Sequence, residues 1–440
     1  MNAHPMDRPV LLACPDARPP AYQAAVGLDR AGLLGQFLTA TYHDPNHPAA
    51  HTARRLAPRL FARAERMLAR RSDPEIPTPR VHPRPSYDVA LQIENRLPPG
   101  GRLKRAVGRH RTLAFDRALA QRVRTARPEL VLAMSDTASS ATLPLCHALG
   151  IPTIVSMVHG DVDVEAALLA REQMISPDYM QIYLGDGRLD REELAWLHDR
   201  RRADLALADL VLAPSRYIAD LLAAKGLDRV CVIPYAADCR RFRPVAKNPS
   251  EPGCTFLFAG GITGRKGIKY LLEAWAMVKR PEYKLALVGP LPRDPGPLEG
   301  ALDGVDVLGR IPHAEMPARM AAADVFVFPS LFEGSAVVTY EALACGLPSI
   351  VTEAAGSVAR DGVEGLVVPA GSAQALAAAM IRLGSDQALR ARMAHAARQR
   401  ALEFDWPRYH QAVTGAVERL LDAGINHGDR EGGEGRSGCE

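Results

Sequence analysis

Residues 326–352 read FVFPSLFEGSAVVTYEALACGLPSIVT. The apolar run before Pro329-Ser330 predicts a strand, Val325–Phe328. The loop Glu333-Gly334-Ser335-Ala336 opens a predicted helix, Val337–Ala344, which contains Glu341. Gly346-Leu347-Pro348 stops that helix, and a second apolar run, Ser349–Thr352, follows. Strand, tight loop, helix, Gly-Pro stop and strand form the repeating unit of a parallel α/β sheet. The free amides of the helix's first turn suit a diphosphate. Glu333 on the loop can face a cleft. From spacing alone, Glu341 reads equally well as a helix-surface carboxylate or as an acceptor for vicinal hydroxyls.

The same alternation extends both ways. Strands are expected at Val10–Ala13, Phe37–Thr41, Leu130–Met134, Thr153–Val158, Leu210–Ala213 and Val230–Ile233. A second set is Thr255–Ala259, Leu285–Val288, Val325–Phe328, Ser349–Thr352 and Leu366–Val368. Several are wholly apolar, as strands covered on both faces must be. Predicted helices include Tyr270–Lys279 and Ala373–Leu383. The polar, proline-containing stretch Asp238–Gly253 divides the two sets. The fold class is therefore α/β, with two doubly wound Rossmann-like domains, 1–240 and 250–403, facing a cleft. Ligands in such sheets bind at the carboxyl ends of the strands, so the cleft is the expected site. Ser215 is expected to cap the helix after Leu210–Ala213. The last stretch, 427–440, lacks core-forming residues and is expected to be disordered.

Composition agrees with this reading. A chain of 440 residues is too long for one ordinary core. Its abundant Ala, Arg, Gly and Pro resemble high-GC bacterial coding. The seven cysteines are scattered and form no CxxC, so neither a zinc site nor a disulfide framework is indicated. Free thiols of this kind fit a cytoplasmic location. No apolar run reaches 18 residues, so no spanning helix is expected. The short run Val10–Cys14 reads as a first core strand, not a signal peptide. Net charge is +4, but residues 51–127 carry 19 Arg or Lys against 6 Asp or Glu, a local +13.

Two further segments carry chemistry. Phe256–Trp275, FLFAGGITGRKGIKYLLEAW, places a glycine-rich loop with Gly261, Arg265 and Lys266 between a strand and a helix. Glycines let backbone approach a phosphate, and lysine adds charge. The loop is neither a Walker loop nor a GxGxxG, so it predicts no NTPase or dehydrogenase. Ile151–Gly160, IPTIVSMVHG, ends a strand at His159 and so places that imidazole at the cleft. A lone histidine is more often structural.

With these segments in view, the chain resembles glycosyltransferase family 4. The resemblance covers about residues 128–422 and is most specific in the second half. It implies a GT-B fold and a retaining, metal-independent hexosyl transfer without a cofactor. The donor is a nucleotide sugar such as a UDP- or GDP-hexose. The acceptor is a carbohydrate or a lipid-linked group, in polysaccharide, glycolipid or related cell-envelope synthesis.

By resemblance, Glu333 lies beside the transferred sugar and Glu341 binds the ribose hydroxyls. The amides of Ser335, Ala336 and Val337, after Gly334, bind the phosphates. Lys266 matches the diphosphate-binding lysine, and His159 hydrogen-bonds the donor sugar. Family members often carry an arginine where Gly261 stands, and Arg265 is the candidate replacement. Residues 404–424 resemble the family's last helix, which crosses back onto the first domain. Trp406 reads as a packing residue, and Asp238 and Phe242 as hinge structure.

The first domain departs from the family, with Cys14–Pro20 replacing the usual glycine-rich loop. Its basic region, 54–124, reads in two ways. Arg55–Arg70 is an amphipathic helix candidate, and Arg102, Lys104, Arg105, Arg109 and Arg111 form a second basic run. One reading is an anionic membrane surface, with the protein peripheral on the cytoplasmic face of the inner membrane. The other is a solvated face packed on the core. Nucleic acid is disfavoured, because aromatics do not interleave with these cations. The alternatives to transfer are a nucleotide-sugar 2-epimerase on the same fold and a catalytically degenerate nucleotide-sugar binding protein.

Overall fold

A computed structural model describes residues 9–44, 50, 54–56, 58–59, 68, 71–98, 100–183, 190–245, 253–292 and 294–427. The expected tail, apart from His427, lies outside the described residues, as does most of the predicted helix Arg55–Arg70.

Two parallel sheets account for the strands. The first contains β1 (Val10–Cys14), β2 (Leu34–Thr39), β3 (Val81–Pro83), β4 (Leu130–Met134), β5 (Thr153–Ser156), β6 (Leu210–Ala213) and β7 (Val230–Val232), in the order β3-β2-β1-β4-β5-β6-β7. The second contains β8 (Cys254–Ala259), β9 (Tyr283–Val288), β10 (Asp306–Gly309), β11 (Val325–Phe328), β12 (Ser349–Val351) and β13 (Gly365–Val367), in the order β10-β9-β8-β11-β12-β13. Both are doubly wound, and their order reverses beside β1 and β8. Crevices therefore open at the carboxyl ends of β1/β4 and β8/β11.

Two strands escaped the sequence reading, β3 and β10. Each is an edge strand in which exposed or half-exposed residues replace an apolar run. The other strands start or stop within a few residues of expectation, and Val337–Ala344 forms a helix with the expected bounds.

Alternation within β1 shows how one sheet serves two cores. Val10, Leu12 and Cys14 join the core that runs into the second domain, while Leu11 and Ala13 pack under the opposite face. The first of these cores is continuous across the domain boundary through Tyr235, Phe242, Tyr340 and Tyr409.

The final helix, Trp406–His427, starts two residues later than expected and runs three further. It crosses back onto the helix Pro19–Arg30. Tyr409 donates its hydroxyl to the Pro20 carbonyl at 3.2 Å, and His410 meets Gln23 at 2.8 Å. Trp406 packs edge-on against Tyr409, as expected of a packing residue. A Cβ on Gly27 would lie 2.8 Å from the Cβ of His410, closer than real contacts allow.

Gly27→Ala should therefore lower stability by about 1–3 kcal/mol through overpacking. Gly415→Ala, on the same crossing helix but near only the flexible end of Arg419, should raise it by up to about 1 kcal/mol through helix propensity. Thermal unfolding of both variants checks the pair. Equal shifts would mean that the Gly27 contact does not set the crossing.

Candidate active site

The switch point of the second sheet holds a cavity of about 550 Å³. Each wall is a strand's carboxyl end: Ala259–Gly261 after β8, Val288–Pro290 after β9, Arg310, Ile311 and His313 after β10, and Phe328 at the end of β11. Glu333, Ser335, Ala336, Val337, Val338 and Glu341 complete the lining, with Lys266 and Met316. Four segments, one after each of β8, β9, β10 and β11, thus converge on one space.

Lys266, half-buried, and Glu333, buried, form an ion pair there. Ser330 donates to the same Glu333 oxygen at 3.1 Å, and the Lys266 ammonium lies 5.1 Å from the Phe328 ring centre. Burial works against the Glu333 carboxylate. Lys266 foremost, with Arg265, nevertheless holds its pKa below the usual carboxylate range. Burial also lowers the pKa of Lys266, although Glu333 opposes that shift. Glu341, buried on the helix Val337–Ala344, bonds His313 Nε2 at 2.7 Å. Its carboxylate faces the cavity and not open solvent, which removes the helix-surface alternative.

Several expected placements change. The Ala336 amide donates to the Ala355 carbonyl at 3.1 Å, so it is not free for a phosphate. Gly356 explains this: its left-handed backbone lets residues 353–356 press against Gly334 and Ser335. The Ser335 hydroxyl likewise donates to the Gly356 carbonyl at 2.7 Å. The first-turn amides of Val337 and Val338 have no carbonyl partner within their helix and border the cavity. Gly334 faces the first domain instead of the cavity. Its carbonyl accepts from Ser215 at 2.7 Å, and a Cβ there would lie 3.1 Å from the His159 carbonyl oxygen. Ser215 thus spans the domains as well as capping its helix.

Arg265 does not line the cavity. It lies 4.0 Å from Glu333 and within electrostatic reach of Glu165 in the first domain, so it is turned to the domain boundary. The second cation in the cavity wall is Arg310, which the sequence reading missed together with His313. Their signal was weak: GRIPH follows an edge strand with little apolar content.

His159 is also placed differently. Its backbone touches the Gly334 loop, but its ring is turned into the first domain, where Nε2 meets Asp136 at 2.9 Å. Burial, then the Arg201 cation, pushes the His159 pKa down, against the pull of Asp136. Burial thus favours the neutral imidazole. Its Nε2–H donates to Asp136, and Nδ1 is left as an acceptor. Asp136 was not singled out in the sequence, where it is one acid in SDTASS.

Comparison with known proteins follows the same division of the chain. Residues 75–241 match the model of Glycosyltransferase Family 4, and residues 253–386 match that of Glycosyl transferases group 1. The chain belongs to this glycosyltransferase family. It is 32% identical over 248 residues to the D-inositol 3-phosphate glycosyltransferase of Pseudarthrobacter chlorophenolicus. It is 28% identical over 257 residues to the phosphatidyl-myo-inositol mannosyltransferase of Mycolicibacterium smegmatis. These matches cover 49% and 54% of this chain, and only 59% and 64% of the relatives' own lengths.

Among solved structures, sucrose-phosphate synthase of Thermosynechococcus elongatus superposes with a TM-score of 0.63 at 21% identity, covering 94% of this chain and all of that one. HepE of Anabaena, in complex with UDP-glucose, superposes at 0.58 and 16% identity, covering 93% of this chain and 99% of its own. Both share the GT-B fold of this family member.

Lys266→Met should leave the buried Glu333 charge unpaired and cost roughly 3–5 kcal/mol at neutral pH. The Glu333 pKa is depressed in the folded protein, so the pair's stabilisation is present above the ordinary carboxylate range and is lost as pH falls through the folded value. The deficit of the variant should therefore be largest near neutrality and narrow in acid, where Glu333 takes up a proton. Lys266→Met/Glu333→Gln should recover most of it. Unfolding curves across pH test this, and a pH-independent deficit would refute the pairing.

Proposed function

We propose that the protein transfers a hexosyl group from a nucleotide sugar to an acceptor hydroxyl, with retention and without a metal. One observation carries the proposal: Lys266, from the loop after β8, lines one cavity at the carboxyl ends of the second sheet together with Glu333 and Glu341, from the segment after β11. In this reading Glu341 accepts hydrogen bonds from the ribose hydroxyls. Lys266 and the amides of Val337 and Val338 meet the diphosphate, and Arg310 supplies the second cation that Arg265 does not. Glu333 sits beside the transferred sugar. The bond from the sugar's anomeric carbon to the diphosphate breaks, and the acceptor oxygen bonds that carbon on the same face. The acceptor's proton passes to the departing phosphate. Fixed positive charge where the diphosphate develops its charge is the main electrostatic aid.

The acceptor is a carbohydrate or lipid-linked group held by the first domain, and an anionic membrane surface is a further partner. No helix among the described residues is long and apolar enough to cross a membrane. The basic run is smaller than its residue count. Arg105 is paired with Asp190, Arg109 with Glu193, and Arg111 with Glu94. Of that run Arg102 and Lys104 remain, beside exposed Leu103 (63%) on the helix Arg102–Ala126, which packs against the helix Ser86–Glu94 with its exposed Val89 (60%) and Ile93 (48%). Apolar contacts combined with cations suit an anionic bilayer surface.

Melting shifts with UDP-, GDP- and ADP-sugars, measured in EDTA, test the donor site. One nucleotide should raise the melting temperature of the wild type, and Lys266→Ala or Glu341→Ala should abolish or weaken that shift. No shift with any nucleotide favours the degenerate binding protein. Turnover of donor alone to an epimer favours the epimerase. For the surface, Leu103→Glu/Ile93→Glu should reduce sedimentation with phosphatidylglycerol vesicles several-fold. Unchanged sedimentation would refute that surface.

A further inference from the structure

Asp136 is one of two non-glycine residues with left-handed backbone among those described, at φ +69°. Such a conformation is uncommon for a residue with a Cβ and persists where the surroundings over-determine it. Here every polar group of the residue is held. Its N–H donates to Asp204 at 2.7 Å, and its carbonyl accepts from Arg200 at 2.9 Å. Its carboxylate accepts from Arg201 Nε at 3.2 Å and from His159 Nε2 at 2.9 Å.

The three clamping residues, Arg200, Arg201 and Asp204, lie along one face of the helix Arg191–Leu207 and are all buried. They are anchored in turn. Arg201 also donates to Glu165 at 2.9 Å, Glu165 meets His198 at 3.0 Å, Arg200 donates to Ser140, and Asp204 accepts from Ser139. Surface ion pairs are not built with this much buried support. The free end of the arrangement is His159, whose backbone touches the donor-domain loop and whose side chain keeps 21% of its surface exposed.

We propose that Arg201, with Arg200 and Asp204, is positioning machinery that locks Asp136 so that His159 keeps its Nε2–H bound and offers Nδ1 as the acceptor for a substrate hydroxyl in the cleft. The role of His159 toward a sugar rests on the transferase reading above. The clamp itself does not. Arg201 acts in two ways. It occupies the Asp136 carboxylate, which would otherwise draw a second proton onto the imidazole, and its own charge disfavours the imidazolium. The other charge acting on His159 is Arg18, from the loop after β1. Arg200 and Asp204 complete the set facing Asp136.

The test uses the full chain labelled with 15N-histidine. His159 is assigned among the 13 histidines by subtraction of a His159→Gln spectrum. Wild type should show a neutral imidazole protonated at Nε2 at pH 7. Arg201→Met should move the His159 titration upward, so that an imidazolium signal appears at a pH where wild type has none. Arg201→Lys, which keeps the cation without the fork, should lie between the two. In parallel, Arg201→Met should keep the nucleotide melting shift while kcat for nucleotide release falls on the order of 100-fold, and Arg201→Lys should recover part of it.

If Arg201→Met does not fold, Arg201→Lys carries the same comparison. An unchanged His159 spectrum in the folded variant overturns the clamp. A changed spectrum with unchanged kcat overturns the substrate role of Nδ1. Absence of nucleotide release from wild type would instead count against the transferase reading, because the spectra report on the clamp without substrate.

Discussion

Lys266 and Glu333 cannot be buried separately. Removing either charge from water costs several kcal/mol, and only the opposite charge beside it offsets that cost. The two come from different strand ends, one after β8 and one after β11, so their pairing sets the spacing of both loops across the switch point. The Phe328 ring and the Ser330 hydroxyl complete the surroundings of the pair. Once Glu333 is placed, Gly334 is placed as well, and its lack of a Cβ lets it approach the His159 carbonyl.

That contact makes the two domains parts of one site. Around it lie Ser215 on Gly334, Tyr270 on the buried Glu172 at 2.8 Å, and the Arg265 amide on the Tyr183 carbonyl at 3.1 Å. Gly160 is equally constrained, since a Cβ there would fall 2.6 Å from the Phe332 ring. The crossing helix Trp406–His427 returns the chain to the first domain and packs into the core that the two domains share.

Charge in the first domain is partitioned between structure and surface. The basic excess of residues 51–127 overstates the free charge, because Arg105, Arg109 and Arg111 are spent on acids of the helix Arg191–Leu207 and its cap, and on Glu94. That helix works on two sides. One side meets these cations, and the other presents Arg200, Arg201 and Asp204 to the Asp136 turn. A single element therefore ties the basic face to the cleft.

The sequence by itself determined the class of fold, the division into two domains and most strands, because buried parallel strands must be continuously apolar and their helices must end at Gly and Pro. It also placed Lys266, Glu333 and Glu341, since a strand end followed by a glycine loop and a helix start defines where those side chains emerge. Edge strands β3 and β10 were hidden, and with β10 went Arg310 and His313, because an edge needs little apolar sequence. Only the tertiary structure decided which way Arg265 and His159 turn, that the Ala336 amide is already bonded, and that Asp136 belongs to the cleft. Each of these depends on a partner more than 15 residues away in the chain, such as Ala355 for Ala336 or Asp204 for Asp136, and local pattern carries no record of such a partner.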